Sequence, residues 1–343
     1  MATNYIGADV DCKMTELAVE RKGKVVMRDR VPTDIRSISN FLRSLSGRKE
    51  MVIEESPMAG WLYRNLRHKV DKLVVCDPRR NKLISSDGDK SDALDAGDLS
   101  ALLRGGYLRE VYHTDDPERL ALKDMVALYH DRVRDAVRQI NQLRAYGRCH
   151  GLTIPGRVVE DPARRGLWLE QLPSAIAKRL SIQWIGLDAV TKQVRMTRRE
   201  MSRLSKAYSI IAHWRDLPGI GPIRAVTLFA YLDCPGRFAT PKKLYKYCGI
   251  GLKRFASGSD KYGRPRPGKL RLFRHTNHKL KDAILGAALS AIGQSKNPFA
   301  AQYRRMLQNG VTESNARHTV ARKVLIVMWG MWKTNGRYDE SLV

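Results

Sequence analysis

Four carboxylates stand where they could do chemistry. Asp9 ends a short apolar run, Tyr5-Ile6-Gly7-Ala8-Asp9, and Glu54 ends another, Met51-Val52-Ile53-Glu54. Asp92 and Asp95 lie three apart in Lys90-Ser91-Asp92-Ala93-Leu94-Asp95-Ala96, which reads as helix, so they share one helix face. Like charges this close repel, and a bound Mg²⁺ removes the penalty because hard cations take carboxylate oxygens. Two such ions about 3.5–4 Å apart clamp a phosphodiester for in-line attack. The competing reading is solvated surface acid, since Asp11, Glu55, Asp87, Asp89 and Asp98 lie nearby in sequence. A serine is the second candidate, in Phe255-Ala256-Ser257-Gly258-Ser259-Asp260. Positive charge around it would stabilise both a serine alkoxide and the phosphorane formed on attack. An ordinary Ser-Gly turn accounts for the same residues.

Composition points to the substrate class. The chain has 343 residues, 62 Lys and Arg against 35 Asp and Glu, and a formal net charge of +27. Such an imbalance favours a polyanionic partner, most simply nucleic acid. A membrane surface is the alternative, but no apolar run has transmembrane length and residues 1–20 lack the apolar core of a secretory signal. The charge is uneven: roughly +3 over residues 1–112, roughly +7 over 113–212 and roughly +17 over 213–343. The near-neutral first third holds the four acids, and the basic last third is the expected contact surface for phosphate backbone. Five widely spaced cysteines with no CxxC pattern fit a reduced intracellular compartment. No GxxxxGK[ST] phosphate-binding loop is present.

These residues need elements to position them. Residues 4–10, 14–20 and 24–30 are β-rich runs, 33–46 predict a helix capped near Thr33-Asp34, Met51–Glu55 a strand, 59–69 a helix and Leu73–Cys76 a strand. A helix over 90–104 stops at Gly105-Gly106. The result is an α/β domain on a mixed sheet over residues 1–112. Long polar–apolar patterns over 117–147 and 171–212 predict a helical or coiled-coil arm over 113–212. Residues 213–343 form a mostly helical third part. It opens with Leu217-Pro218-Gly219-Ile220-Gly221-Pro222, a glycine turn that starts a helix as in a helix-hairpin-helix contact with DNA backbone. A plain packing corner is the other reading. The basic segment 249–274 carries Lys253, Arg254, Lys261, Arg264, Arg266, Lys269, Arg271 and Arg274, and helices over 277–294 and 312–334 complete the chain.

Taken in order, Tyr5–Asp9, Val52–Ser56, Lys90–Ala96, Leu217–Leu232 and Ala256–Ser259 resemble the DEDD transposases of bridge-RNA-encoding insertion sequences, a family that includes the Piv-type DNA invertases. The resemblance spans nearly the whole chain and extends to Asn277–Lys281 and to Ser295–Gly310. It implies an N-terminal RuvC-like (RNase H-like) domain, a coiled-coil arm and a C-terminal transposase domain. It makes Asp9, Glu54, Asp92 and Asp95 the DEDD set for Mg²⁺, two ions in the full site, with Glu55 the runner-up for Glu54. It makes Ser257 the nucleophile, with Ser259 the runner-up. It also implies donor and target DNA, a noncoding bridge RNA, a dimer to tetramer and a prokaryotic cytoplasmic setting. Active sites in such enzymes combine the acidic domain of one protomer with the serine domain of another. The chain departs from the family at Gly249-Ile250-Gly251-Leu252, where a Gly-Leu-Thr-Pro-like turn is common, and in the arginine- and proline-rich stretch 261–276.

Overall fold

Buried apolar residues, Ile6 and Ala8 on the first strand and Leu17 and Val19 on the second, drive two strands together, and a third, exposed along nearly its whole length, pairs beside them. β1 (Thr3–Val10), β2 (Met14–Arg21) and β3 (Lys24–Pro32) form an antiparallel meander in the computed structural model, which describes residues 2–78, 92–255, 269–272 and 276–342. Lys22 and Gly23, both at positive φ, make the tight β2–β3 turn. Helix α1 (Ile35–Ser44) follows. Asp34 caps it by accepting from the Ser37 N–H at 2.8 Å, and that bond holds the Asp34 carboxyl below its ordinary range. β4 (Arg48–Glu54) then pairs parallel to β1, and after α2 (Ala59–Leu66) β5 (Lys72–Cys76) pairs parallel to β4. The sheet order is β3-β2-β1-β4-β5. Helix α3 (Asp92–Gly105) covers one face, setting Leu99 and Leu103 against Val52 and Val74; α1 and α2 cover the other, setting Ile38 and Leu62 against Ile6, Leu17 and Met51.

The chain divides after Asp116 into two compact units. In the second, α4 (Pro117–Cys149) and α7 (Ser174–Ser205) run antiparallel: Arg132 bonds to Gln193, Gln139 lies against Gly186, and Arg179 sits over Tyr146. The short helices α5 (Gly156–Glu160) and α6 (Arg165–Leu169) close that hairpin around Leu143, Val158, Trp184 and Leu187. The expected single helix over 171–212 is in fact two. Tyr208 adopts extended backbone, packs its ring on Phe229 at 4.4 Å, and starts α8 (Ser209–Trp214).

Helices α9 (Pro222–Leu232), α10 (Pro241–Tyr247), α11 (His278–Gly293), α12 (Pro298–Gln308) and α13 (Glu313–Thr334) complete the unit. A small antiparallel hairpin, β6 (Leu252–Phe255) with β7 (Lys269–Leu272), lies between α10 and α11. The core gathers on Trp214, whose indole N–H donates to the Met328 carbonyl at 3.1 Å. Leu122, Val126 and Met201, from the bases of α4 and α7, join that core. Burial pushes the Cys248 thiol up to about 12, which makes it an inert core group. All five cysteines are free.

Candidate active site

Strand register sets the two strand-borne acids side by side. Ala8 pairs with Ile53 in the parallel β1–β4 ladder, and Asp9 and Glu54 are the next residues on each strand. Side chains alternate along a strand, so Asp9 shares the face of Tyr5 and Gly7, and Glu54 that of Val52. This is the α3 face, because Val52 and Tyr5 pack with Leu99 and Leu103. Gly7 lets the helix close onto the strand: a Cβ there would meet the Ala96 carbonyl oxygen at 1.9 Å and the Ser100 nitrogen at 2.7 Å.

The direction of α3 brings the other two acids to the same end. Ser100 and Arg104 reach Glu20, which is 2 % exposed and pairs with Tyr5 near the start of β1. The helix therefore runs antiparallel to β1, and its first turn, with Asp92 and Asp95, lies toward the Asp9 end. Asp9 and Glu54 are half-buried and Asp95 is exposed; the Asp92 side chain lies outside the described residues. Among the described residues no group of three or more His, Cys, Asp or Glu side chains is close enough to hold a metal ion. The four positions thus lie toward the same end of the sheet, on its α3 face, and a closed ligand set is not formed by the described side chains.

Two neighbouring acids behave differently. Glu55 alternates to the opposite face, where its carboxylate meets His113 Nε2 at 2.7 Å and the His113 ring lies 5.6 Å from Tyr63 of α2. Asp98 continues the acidic side of α3. Burial raises its carboxyl above the ordinary carboxylate range, the Asp95 charge adds to this, and Arg28 opposes it. Sequence reading placed Asp98 only among bystanders; its i, i+3 spacing from Asp95 was the available signal.

In the helical unit, residues 256–268 connect the two strands of the β6–β7 hairpin, where Phe255 pairs with Lys269. Ser257 and Ser259 lie on that connection, outside the described residues, as do Lys261, Arg264, Arg266, Arg274 and the side chains of Arg254 and Lys269. Lys253 and Arg271 face one another across the hairpin register. The hairpin itself was not foreseen, because only four residues form each strand.

Gly219 and Gly221 join α8 to α9. Gly219, at φ +85°, is pressed against α11: a Cβ would stand 2.1 Å from the Ala287 carbonyl oxygen. Arg224 locks the turn by donating to the Gly219 carbonyl and to Ser290 Oγ, both at 2.9 Å. Gly221 caps α9 and has open space where a side chain would be. Gly219 is thus a close-packing glycine, and Gly221 faces outward.

Comparison with known proteins agrees with both halves of this arrangement. Residues 6–146 match a DEDD transposase family of the IS110 type, and residues 212–304 match the family described as "Transposase IS116/IS110/IS902 family". The chain belongs to the IS110-family DEDD transposases. A similar protein is "Putative transposase y4qE" of Sinorhizobium fredii (strain NBRC 101917 / NGR234), 24% identical over 359 residues, covering 95% of this chain and 88% of the relative.

The transposase is accordingly an enzyme that cleaves and rejoins DNA, and its family depends on a divalent metal. The donor chemistry fits: Asp9, Glu54, Asp92 and Asp95 offer only hard carboxylate oxygens, the ligands of Mg²⁺- or Mn²⁺-type cations. No helix among the transposase's described residues is long and apolar enough to cross a membrane.

Proposed function

We propose that this transposase is a bridge-RNA-guided DNA recombinase of an insertion sequence, with Asp9, Glu54, Asp92 and Asp95 as its metal-binding acids and Ser257 as its nucleophile. The observation that carries the reading is the shared end of the sheet. Asp9 and Glu54 end adjacent parallel strands on the face covered by α3, toward the end of that helix where Asp92 and Asp95 lie. The strand order β3-β2-β1-β4-β5, with three antiparallel strands followed by two parallel ones, supports the RuvC-like (RNase H-like) assignment. The three-part division at 112/113 and 212/213, a dimer to tetramer and a prokaryotic cytoplasmic setting belong to the same reading.

When bound, Mg²⁺, two ions in this reading, supplies Lewis-acid stabilisation of charge on the reacting phosphate. Asp9, Glu54, Asp92 and Asp95 would hold those ions at the strand ends. Ser257 Oγ attacks phosphorus; its O–P bond forms as the P–O3′ bond breaks, and the leaving 3′ oxygen takes up a proton. The hydroxyl of a second DNA end then attacks the phosphoserine, and the serine O–P bond breaks. One phosphodiester replaces another, so the exchange needs no ATP. Gly221, Lys253, Arg254, Lys261, Arg264, Arg266 and Lys269, with the turn at Gly219, contribute phosphate contacts that hold the strands.

The test is a covalent adduct. Wild-type enzyme with Mg²⁺, bridge RNA and donor DNA forms a protein–DNA link that survives denaturing electrophoresis, and Ser257→Ala forms none while retaining RNA binding. Undiminished adduct in Ser257→Ala removes Ser257 from the role and passes it to Ser259. Cleavage with no adduct in the wild type makes the protein a water-using nuclease of the same fold.

A further inference from the structure

The helical unit holds a cavity of about 500 Å³ where the end of α7, helix α8 and the first turn of α9 meet. Its mouth carries three exposed cations, Arg198, Lys206 and Arg215. None of the three forms a salt bridge among the described residues, although other arginines of the arm pair readily, as Arg203 does with Glu200. Its floor is apolar: Tyr208 and Ile223, both half-buried, with Ala212 and Pro222, over the buried core residues Met201, Ile211 and Val226. The first turn of α9, with Pro222, opens onto the same space and adds the positive end of a helix dipole.

Those two surfaces ask for different halves of one ligand. Three like charges around one mouth repel until an anion joins them, and the hydrophobic floor offers nothing to a phosphate. A nucleotide satisfies both, with its phosphate among the cations and its base against Tyr208, Ala212, Pro222 and Ile223. The volume is within the range of small-molecule sites. In a duplex the base is stacked and paired and cannot reach the floor, so the occupant must come from an unpaired strand.

We infer that this cavity holds one unstacked nucleotide of a single-stranded DNA or RNA segment during the reaction. The inference uses neither Ser257 chemistry nor RNA guidance, and it survives the failure of either. It adds a strand-selecting site in which charge supplies affinity and the floor supplies the preference for an unpaired base.

The experiment uses the full-length protein and fluorescence anisotropy, without bridge RNA or metal. The probes are labelled oligodeoxythymidylate, oligouridylate of equal length and a DNA duplex. Ser202, at the exposed edge of the cavity, is replaced by Trp to fill it without changing charge. Ser202→Trp should weaken single-strand binding about tenfold and leave duplex binding within about twofold. A combined Arg198→Ala, Lys206→Ala, Arg215→Ala protein, which remains informative if the Trp variant misfolds, should flatten the salt dependence of single-strand binding by about 2 in log–log slope. A response confined to oligodeoxythymidylate assigns the nucleotide to DNA, and one confined to oligouridylate assigns it to RNA. Wild-type single-strand affinity in Ser202→Trp, or equal loss of duplex and single-strand binding in the triple variant, overturns the inference.

Discussion

In the sheet unit the candidate chemistry sits at the ends of hydrogen-bonded elements: Asp9 on β1, Glu54 on β4, Asp92 and Asp95 at the start of α3. In the helical unit the described candidates sit on a connection, Gly219 and Gly221 between α8 and α9, and on the exposed side chain of Lys253; Ser257 lies outside the described residues. The difference follows from what each must hold. A divalent cation demands carboxylate oxygens placed within tenths of an ångström, and rigid elements supply that precision. Phosphate backbone is attracted over several ångströms by Coulomb forces, so loops and exposed side chains suffice.

Asp9→Asn gives the sharpest contrast. Cleavage should fall by a hundredfold or more, on the order expected when metal-held charge stabilisation is lost, with an unchanged melting temperature. Lys253→Ala should weaken DNA binding only severalfold and lower its log–log salt slope by about 0.9. Comparable losses in the two variants, measured by cleavage and titration, would erase the distinction between a precise site and a diffuse one.

The two units share one packing device, which gives a second test. Gly7 lies beneath α3 and Gly219 beneath α11, each with a neighbouring carbonyl oxygen where a Cβ would go. Gly7→Ala should cost about 1–3 kcal/mol in chemical denaturation through overpacking. Gly219→Ala should cost more by about 1–2 kcal/mol, because its φ of +85° is also strained for alanine. Equal costs would mean that the α8–α9 turn relaxes where the sheet does not.

A smaller effect separates the units by pH. Burial, and then nearby Lys279, hold the His130 imidazole of α4 below its ordinary value of 6.5, and its Nε2 lies 2.9 Å from Thr227 Oγ1. The folded state then binds fewer protons at His130 than the unfolded state. The stability it contributes is present above pH 6.5 and is lost as pH falls from there toward the lower folded value. Denaturation of His130→Gln should be flatter across that window, and an unchanged pH dependence would place the titration elsewhere.

The sheet unit was the more legible of the two. Its β-rich runs are bounded by turn or charged residues, and Asp34 announced α1 as a cap; even so, β4 begins at Arg48, three residues before the expected strand. In the helical unit, α10 and the β6–β7 hairpin escaped notice because each is short and flanked by charge, and α12 was not foreseen as a helix either. The break before α8 was hidden because Tyr208 looks like any helical apolar residue, and only its packing on Phe229 gives it extended backbone a purpose.

From the sequence alone came the residue types, the charge segregation and the strand periods. These are properties of single residues and of local spacing, and they sufficed to name a metal-on-phosphate chemistry and a nucleic-acid partner. Tertiary structure decided which acids share a face. Parallel register set Asp9 beside Glu54, alternation sent Glu55 to His113 instead, and the absence of a side chain at Gly7 let α3 lie directly on β1. It also pressed Gly219 against α11 and assembled the cavity rimmed by Arg198, Lys206 and Arg215. Such neighbours are remote in sequence, and only closure of the backbone brings them together.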